Sequence, residues 1–529
     1  MDQESSQDLS GAIAAWDWGV IALYFAVVIA IGVWVSRRTE SGEDLFLAGR
    51  GLTWGIIGFS LFASNISSTT LIGLTGAAYD AGIAVSAYEW MAGVPLILMA
   101  LIFAPIFLKS RITTIPEYLE LRYDRKSRLY FSAVTIVLTI VVDTAGGLYA
   151  GAVVTRAFLP DIPIWQICVA IGIFAGLYTA GGGLKAVVFT DVMQAIVLIV
   201  GTATMTMILF SMNDWSWSNV TDNVSEGQLS IVQPRSNEIL PWPGLILGVP
   251  ILGFWYWVTN QYIVQRVLGA ASLRDAQSGA ILGGFLKILP MFIMVLPGAM
   301  AVSVLPELSN PDQVFPTLVA EVLPIGLRGL VLAGLVAAIM SSVDSTLNSA
   351  STLVVHDFVR NEVRDLDSKT ERKYGRMTTL ILMLIAIIWA PLIAQAGGLW
   401  AYLQQAFSIL VPPVVAVFML GALWRRTTAT GAFTALIAGH AIALATFVLT
   451  QVGIWPLHFT TNIGLMVGVS MVILVAVSLF TEAPEKDVLD QTVWRPDEAV
   501  TDGNWSFTTV LFSIGALIAA MGAILILFW

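Results

Sequence analysis

The chain has 529 residues, of which 57% are apolar and 12% charged, and its formal net charge is −10. That much apolar surface cannot be hidden in a soluble domain, so lipid is the natural solvent for most of it. The acidic balance excludes a nucleic-acid binder, which needs a basic face. A single cysteine, Cys168, allows neither an internal disulfide nor a thiolate metal site.

The start, MDQESSQDLSG, is acidic and lacks the basic opening of a secretory signal, so the first apolar run is expected to remain as a helix. A span needs roughly 20 apolar residues. Runs suited to spanning lie near 16–36, 54–80, 84–108, 130–158, 162–180, 185–211, 242–268, 277–305, 326–355, 376–397, 399–423, 430–451, 460–480 and 506–528, about fourteen helices. Most of the 26 Lys and Arg fall in the odd-numbered connections, among them RR at 37–38, RYDRKSR at 122–128, Arg266, the cluster from Arg360 to Arg376, and RR at 425–426. The positive-inside rule makes those loops cytoplasmic and places both termini outside. The connection at 212–241 reads as an outer surface loop with a short interfacial helix, and 481–505 as a polar, acidic, flexible loop.

Within these spans, ASNISSTTLIGLTGAAYDAG interrupts the second helix at its middle. Small residues also serve close packing, which accounts for the glycines but poorly for Asn65 and the SSTT run. A discontinuous helix frees carbonyls that can ligate a cation. Ionisable side chains inside a bilayer are costly and mark a pathway or site by default; here they are Glu89, Asp143, Asp191, Lys287 and Asp344. The span near 326–355 carries AAIMSSVDSTLNSAST, in which Ala338, Ser341 and Ser342 share one face, and Ser341, Asp344 and Ser345 repeat the spacing slightly rotated. Such hard oxygen donors suit an alkali or alkaline-earth ion, although serines in membrane helices also bond back to their own carbonyls. The histidines, His356, His440 and His458, show no ligand spacing, and no cluster of His, Cys or paired acids suggests a membrane enzyme. The scattered polar residues suit an occluded site better than a lined pore.

Several long motifs then carry a resemblance. GGGLKAVVFTDVMQ (181–194), WYWVTNQYIVQRVLGA (255–270), FLKILPMFIMVLPG (285–298) and MSSVDSTLNSASTL (340–353), together with ASNISS and YEWM, resemble the sodium/solute symporter family and its sodium/glucose cotransporter branch, including its bacterial galactose-transporting members. The resemblance runs from about 16 to 430. It implies an all-α polytopic fold of the leucine-transporter type: residues 1–53 with a first extra helix, one inverted repeat at 54–211, an outer loop at 212–241, a second repeat at 242–423, and extra helices at 424–529. It implies a sodium site of Ala63, Ile66, Ala338, Ser341 and Ser342, and a second one of Asp191, Ser341, Asp344 and Ser345, where Asp344 departs from the usual hydroxyl. It implies a solute site of Asn65, Thr70, Glu89, Asp143, Tyr256, Lys287 and Gln404 under an outer gate of Leu74, Tyr88 and Trp400. Thr70, Ala92 and Gly253 depart from the galactose pattern. An acid at Asp143, near where sialic-acid relatives supply an arginine, favours a neutral solute.

The expectation is therefore a non-enzymatic, multi-pass plasma-membrane symporter. It would import a neutral sugar or inositol-like polyol with sodium ions, two per solute if Asp344 is ionised, and needs no evident protein partner. The same fold carrying sialic acid or an amino acid, or coupling to protons through Glu89, Asp143 or Asp344, remains the alternative.

Overall fold

The computed structural model describes residues 9, 11–36, 50–179, 184–222, 224–225, 227–305, 308, 310–359, 368–395, 398–496 and 507–529; side chains are described over the same ranges except 28–36, 174–179, 184–192, 368–369, 371–372 and 507–508. Among the described residues the chain is helical, and extended pairing is limited to the isolated bridges Leu52–Ala270 and Gln233–Pro241. Among the described residues eleven helices are long and apolar enough to cross a membrane, and the shorter apolar helices Ala15–Val27 and Ile164–Ile173 accompany them. One of the eleven, Ser68–Lys109, has 42 residues. At 1.5 Å per residue that is about 63 Å, twice a hydrocarbon core of ~30 Å. It turns at Gly82, where φ is +75° and an added Cβ would strike the carbonyl of Gln228. Glycine is the residue that tolerates both demands.

Among the described residues, two apolar helices are interrupted beside the site. Trp54–Asn65 ends at Ile66 (φ −74°, ψ 79°), and Ser68–Ala81 restarts behind Ser67, whose side chain accepts the Thr70 N–H. A run of Ser and Thr makes this possible, because short hydroxyls supply N-caps in place of the lost helical bonds. The second break follows Thr259: Asn260 is extended (φ −76°, ψ 119°) between the π-helical turn Trp255–Thr259 and the helix Gln261–Leu268. The serine-rich helix Leu327–Leu353, in contrast, runs unbroken and packs against Leu184–Met212 and Ala15–Ser36.

Several charges read as lining aqueous loops are buried instead. Arg122 donates to the carbonyls of Gly421 (2.9 Å), Trp424 (3.1 Å) and Thr427 (3.1 Å), closing the C-terminal end of Leu399–Leu423 and the turn after it. Arg266 lies wholly buried, donating to Ser60 Oγ (3.0 Å) and to the Tyr262 carbonyl. The described parts of the connections 212–241 and 481–505 make specific contacts. The outer one has its short helix, Trp217–Asp222, but then docks: Ile231 and Leu240 are fully buried, and the Ile231 N–H reaches the Phe528 carbonyl at 2.7 Å. In the other, Lys486–Thr492 is helical and pinned, since Lys109 Nζ and Ser110 Oγ donate to the Asp490 and Gln491 carbonyls (2.8 and 3.1 Å). The Trp494 indole N–H donates to the Leu101 carbonyl at 2.7 Å. Residues 497–506 of that loop, like Arg37, Arg38 and Arg360, lie outside the described residues.

Candidate functional site

Where the broken helix faces the serine helix, a small void of 10 Å³ is lined by Ala63, Ser64, Ile66, Gln194, Tyr262, Ala338, Ser341, Ser342 and Ser345. All five residues assigned to the main ion site converge there. Ala63 and Ile66 bring the backbone freed by the break, and the serines bring hydroxyls. The volume is about that of a single small occupant. Of the second set, Ser341 and Ser345 line the same void. Asp344 is buried (4% exposed) on the serine helix but is absent from that lining, and the Asp191 side chain is outside the described residues.

Beside the void lies a polar cavity of 110 Å³. Asn65, Thr70, Glu89, Asp143, Tyr256, Lys287 and Gln404 all border it, and Ser342 borders both spaces. Lys287 is 1% exposed and sits between the Glu89 carboxylate and the Asn65 amide oxygen, with which it makes short contacts; its Nζ lies 5.7 Å from the Trp257 ring centroid. A lone buried ammonium would be prohibitive, whereas one paired and hydrogen-bonded is tolerated. Tyr262 Oη donates to Tyr256 Oη at 2.8 Å, and Thr70 Oγ1 donates to the Asn65 carbonyl at 2.7 Å. The Gln404 Oε1 and Trp400 Nε1 atoms are buried with no protein partner. Polar atoms left so inside a cleft mark where a ligand's own hydrogen bonds go.

On the far side of this cavity a vestibule of 410 Å³ is lined by Asp80, Glu238, Asp312, His458 and others. Tyr88 and Trp400 border both spaces and meet edge to face, centroids 5.3 Å apart, so this aromatic pair separates them. Leu74, the third gate candidate, is fully buried behind the pair and borders neither space.

The sodium:solute symporter family model matches residues 45–439. The chain belongs to that family. Among its relatives, the human sodium/myo-inositol cotransporter 2 is 34% identical over 532 residues, covering 90% of this chain and 78% of the relative. The rabbit sodium/glucose cotransporter 1 is likewise 34% identical over 532 residues, covering 90% of this chain and 80% of the relative. In three dimensions this symporter resembles a Na+-coupled sialic acid symporter in a substrate-bound outward-open state, with a TM-score of 0.77 at 22% identity over 89% of this chain and 99% of that one. It also resembles Mhp1, a nucleobase-cation-symport-1 family transporter, with a TM-score of 0.57 at 14% identity over 86% of this chain and 99% of that one. These likenesses establish the fold.

Sequence reasoning missed several of the symporter's lining residues. Gln194 and Tyr262 at the void, and Trp257 at the cavity, sit inside the quoted motifs GGGLKAVVFTDVMQ and WYWVTNQYIVQRVLGA, but nothing in their spacing says which way they face. Of the departures, Thr70 and Gly253 border the cavity and Ala92 does not; a Cβ at Gly253 would meet Pro95 Cγ at 3.1 Å.

Proposed function

We propose that this symporter imports a neutral sugar or inositol-like polyol, driven by sodium, by alternating access. The observation that carries the reading is the shared wall: an oxygen-lined void at a helix break touches, through Ser342, a cavity of mixed donors and acceptors. A polyhydroxy solute donates and accepts at each hydroxyl, so amide, carboxylate and ammonium groups together suit it. The cotransporter relatives, named for myo-inositol and glucose, support the same solute class.

In the proposed cycle sodium enters from outside and is held by the Ala63, Ile66 and Ala338 carbonyls and the Ser341 and Ser342 hydroxyls. Its presence fixes the broken helix, and with it Asn65, against the cavity. Solute then draws Tyr88 and Trp400 together, and the helices rock to release both cargoes inward. Coupling requires that sodium bind the outward form better than the inward one, because equal affinity shifts nothing. One charge crossing ~100 mV supplies about 2.3 kcal/mol, and a tenfold sodium gradient about 1.4 kcal/mol more. The arrangement further proposed is fourteen spans in the plasma membrane with both termini outside, and two five-helix repeats at 54–211 and 242–423, with extra helices before and after. A second ion would be held by Asp191, Ser341, Asp344 and Ser345. Liposome uptake across a panel of sugars, polyols, amino acids and sialic acid, with sodium replaced by choline at fixed pH, tests the proposal. Uptake that persists in choline refutes sodium coupling.

A further inference from the structure

The solute cavity carries two carboxylates, Glu89 and Asp143, against one ammonium, Lys287. Lys287 is already committed to Glu89 and Asn65. Asp143 stands on the π-helical turn Thr139–Thr144, and its partner is the neutral amide of Asn260, at the second helix break. The Asn260 Oδ1 has no partner of its own, so the amide serves Asp143 as a donor. Among the described residues no cationic side chain pairs with Asp143. Gln404 Oε1, 94% buried by its residue's exposure of 6%, adds a second acceptor without a donor. The cavity thus holds two carboxyl groups against one amine, together with surplus acceptors. An ammonium group donates three hydrogen bonds and accepts none. Asp143 does not border the smaller void, whose lining residues include no carboxylate.

We propose that Asp143 selects solutes by charge, so that a sugar or polyol bearing one protonated amine binds more tightly than its neutral parent, and the carboxylate analogue is rejected. This deepens the symport reading and rests on it. The amine sits toward Asp143 and Gln404, while the remaining hydroxyls keep the contacts with Asn65, Glu89 and Lys287.

The test uses the full-length protein in liposomes. Sodium-driven uptake of the neutral solute found by the panel is measured against glucosamine, glucose, N-acetylglucosamine and glucuronate as inhibitors, from neutral to mildly alkaline pH. Each step in charge is expected to change inhibition about tenfold, equivalent to about 1.4 kcal/mol. Glucosamine would bind best, glucuronate worst, and N-acetylglucosamine would lose the gain. Asp143→Asn should flatten the ladder and Asp143→Glu preserve it. If uptake by Asp143→Asn is too slow to measure, sodium-dependent quenching of tryptophan fluorescence gives the ranking, since Trp257 and Trp400 border the cavity. Glucosamine ranking no better than N-acetylglucosamine overturns the proposal. So does an unchanged ladder in Asp143→Asn with a raised sodium requirement, which would assign the carboxylate to the ion. Uptake indifferent to sodium sinks the symport reading instead, whatever the ladder shows.

Discussion

Removing the ammonium of Lys287 should harm the protein more than removing the ammonium and its partner together. Lys287 and Glu89 are 1% and 3% exposed, and the ion pair between them is buried in the cavity wall. Lys287→Met leaves a carboxylate in place with no cation, and breaking a buried pair in this way costs roughly 3–5 kcal/mol. Glu89→Gln leaves the ammonium with the Asn65 oxygen and the Trp257 ring, a smaller loss because both contacts still favour a cation. The double variant Glu89→Gln/Lys287→Met removes both desolvation penalties, so it should be more stable than Lys287→Met alone, with a coupling of about 1.5–3 kcal/mol. Thermal unfolding of the four purified proteins in one detergent closes the cycle. Additive losses, or a double variant weaker than both singles, would refute the idea that the pair is an electrostatic unit.

Ser342→Ala removes a hydroxyl that borders both spaces, and should raise the sodium concentration for half-maximal uptake about tenfold, as one contact to a charged group is worth ~1.5 kcal/mol. Ser349→Ala, on the same helix but off the void, should leave it unchanged in the same titration. Trp400→Ala removes the edge-to-face partner of Tyr88 and should join the 410 and 110 Å³ spaces. Sodium-dependent solute release measured by stopped flow should then quicken, and steady-state accumulation should fall. Acid should loosen the Lys486–Thr492 segment. The Arg425 guanidinium, 3.0 Å from Asp490, with Arg495 beside it, holds that carboxyl below its ordinary range. A depressed carboxyl contributes fully above its ordinary value and is lost as pH falls through the lowered one. Proteolysis at 486–496 should therefore stay constant from neutral to mildly acid pH and rise only below the usual carboxylate range.

Much of this molecule was legible because lipid imposes simple rules on sequence. Length and hydropathy marked out the apolar helices, and the run Asn-Ile-Ser-Ser-Thr-Thr inside an apolar stretch marked the break at Ile66. Lys287 and Glu89 stood out because charge in hydrocarbon needs a reason. What was not legible depends on neighbours distant in the chain. Arg122 and Arg266 sit among loop-like charges, yet folding brings the Gly421 carbonyl to one guanidinium and the Ser60 hydroxyl to the other. The partnership of Asp143 with Asn260 joins two residues over a hundred positions apart, across a π-turn that leaves no periodic trace. The docking of Ile231 against the Phe528 backbone hid behind a polar loop composition for the same reason.

The 10 Å³ void lies between Ala63, Ser64 and Ile66 at the helix break and Ala338, Ser341, Ser342 and Ser345 on the unbroken helix Leu327–Leu353. Its aperture works as a caliper whose jaws are two spans. A bulkier alkali metal could enter only by prying those spans apart, which moves Asn65 away from Lys287. If sodium sits there as proposed, discrimination among cations and transmission of their arrival to the cargo would be a single mechanical property of the spacing between two helices.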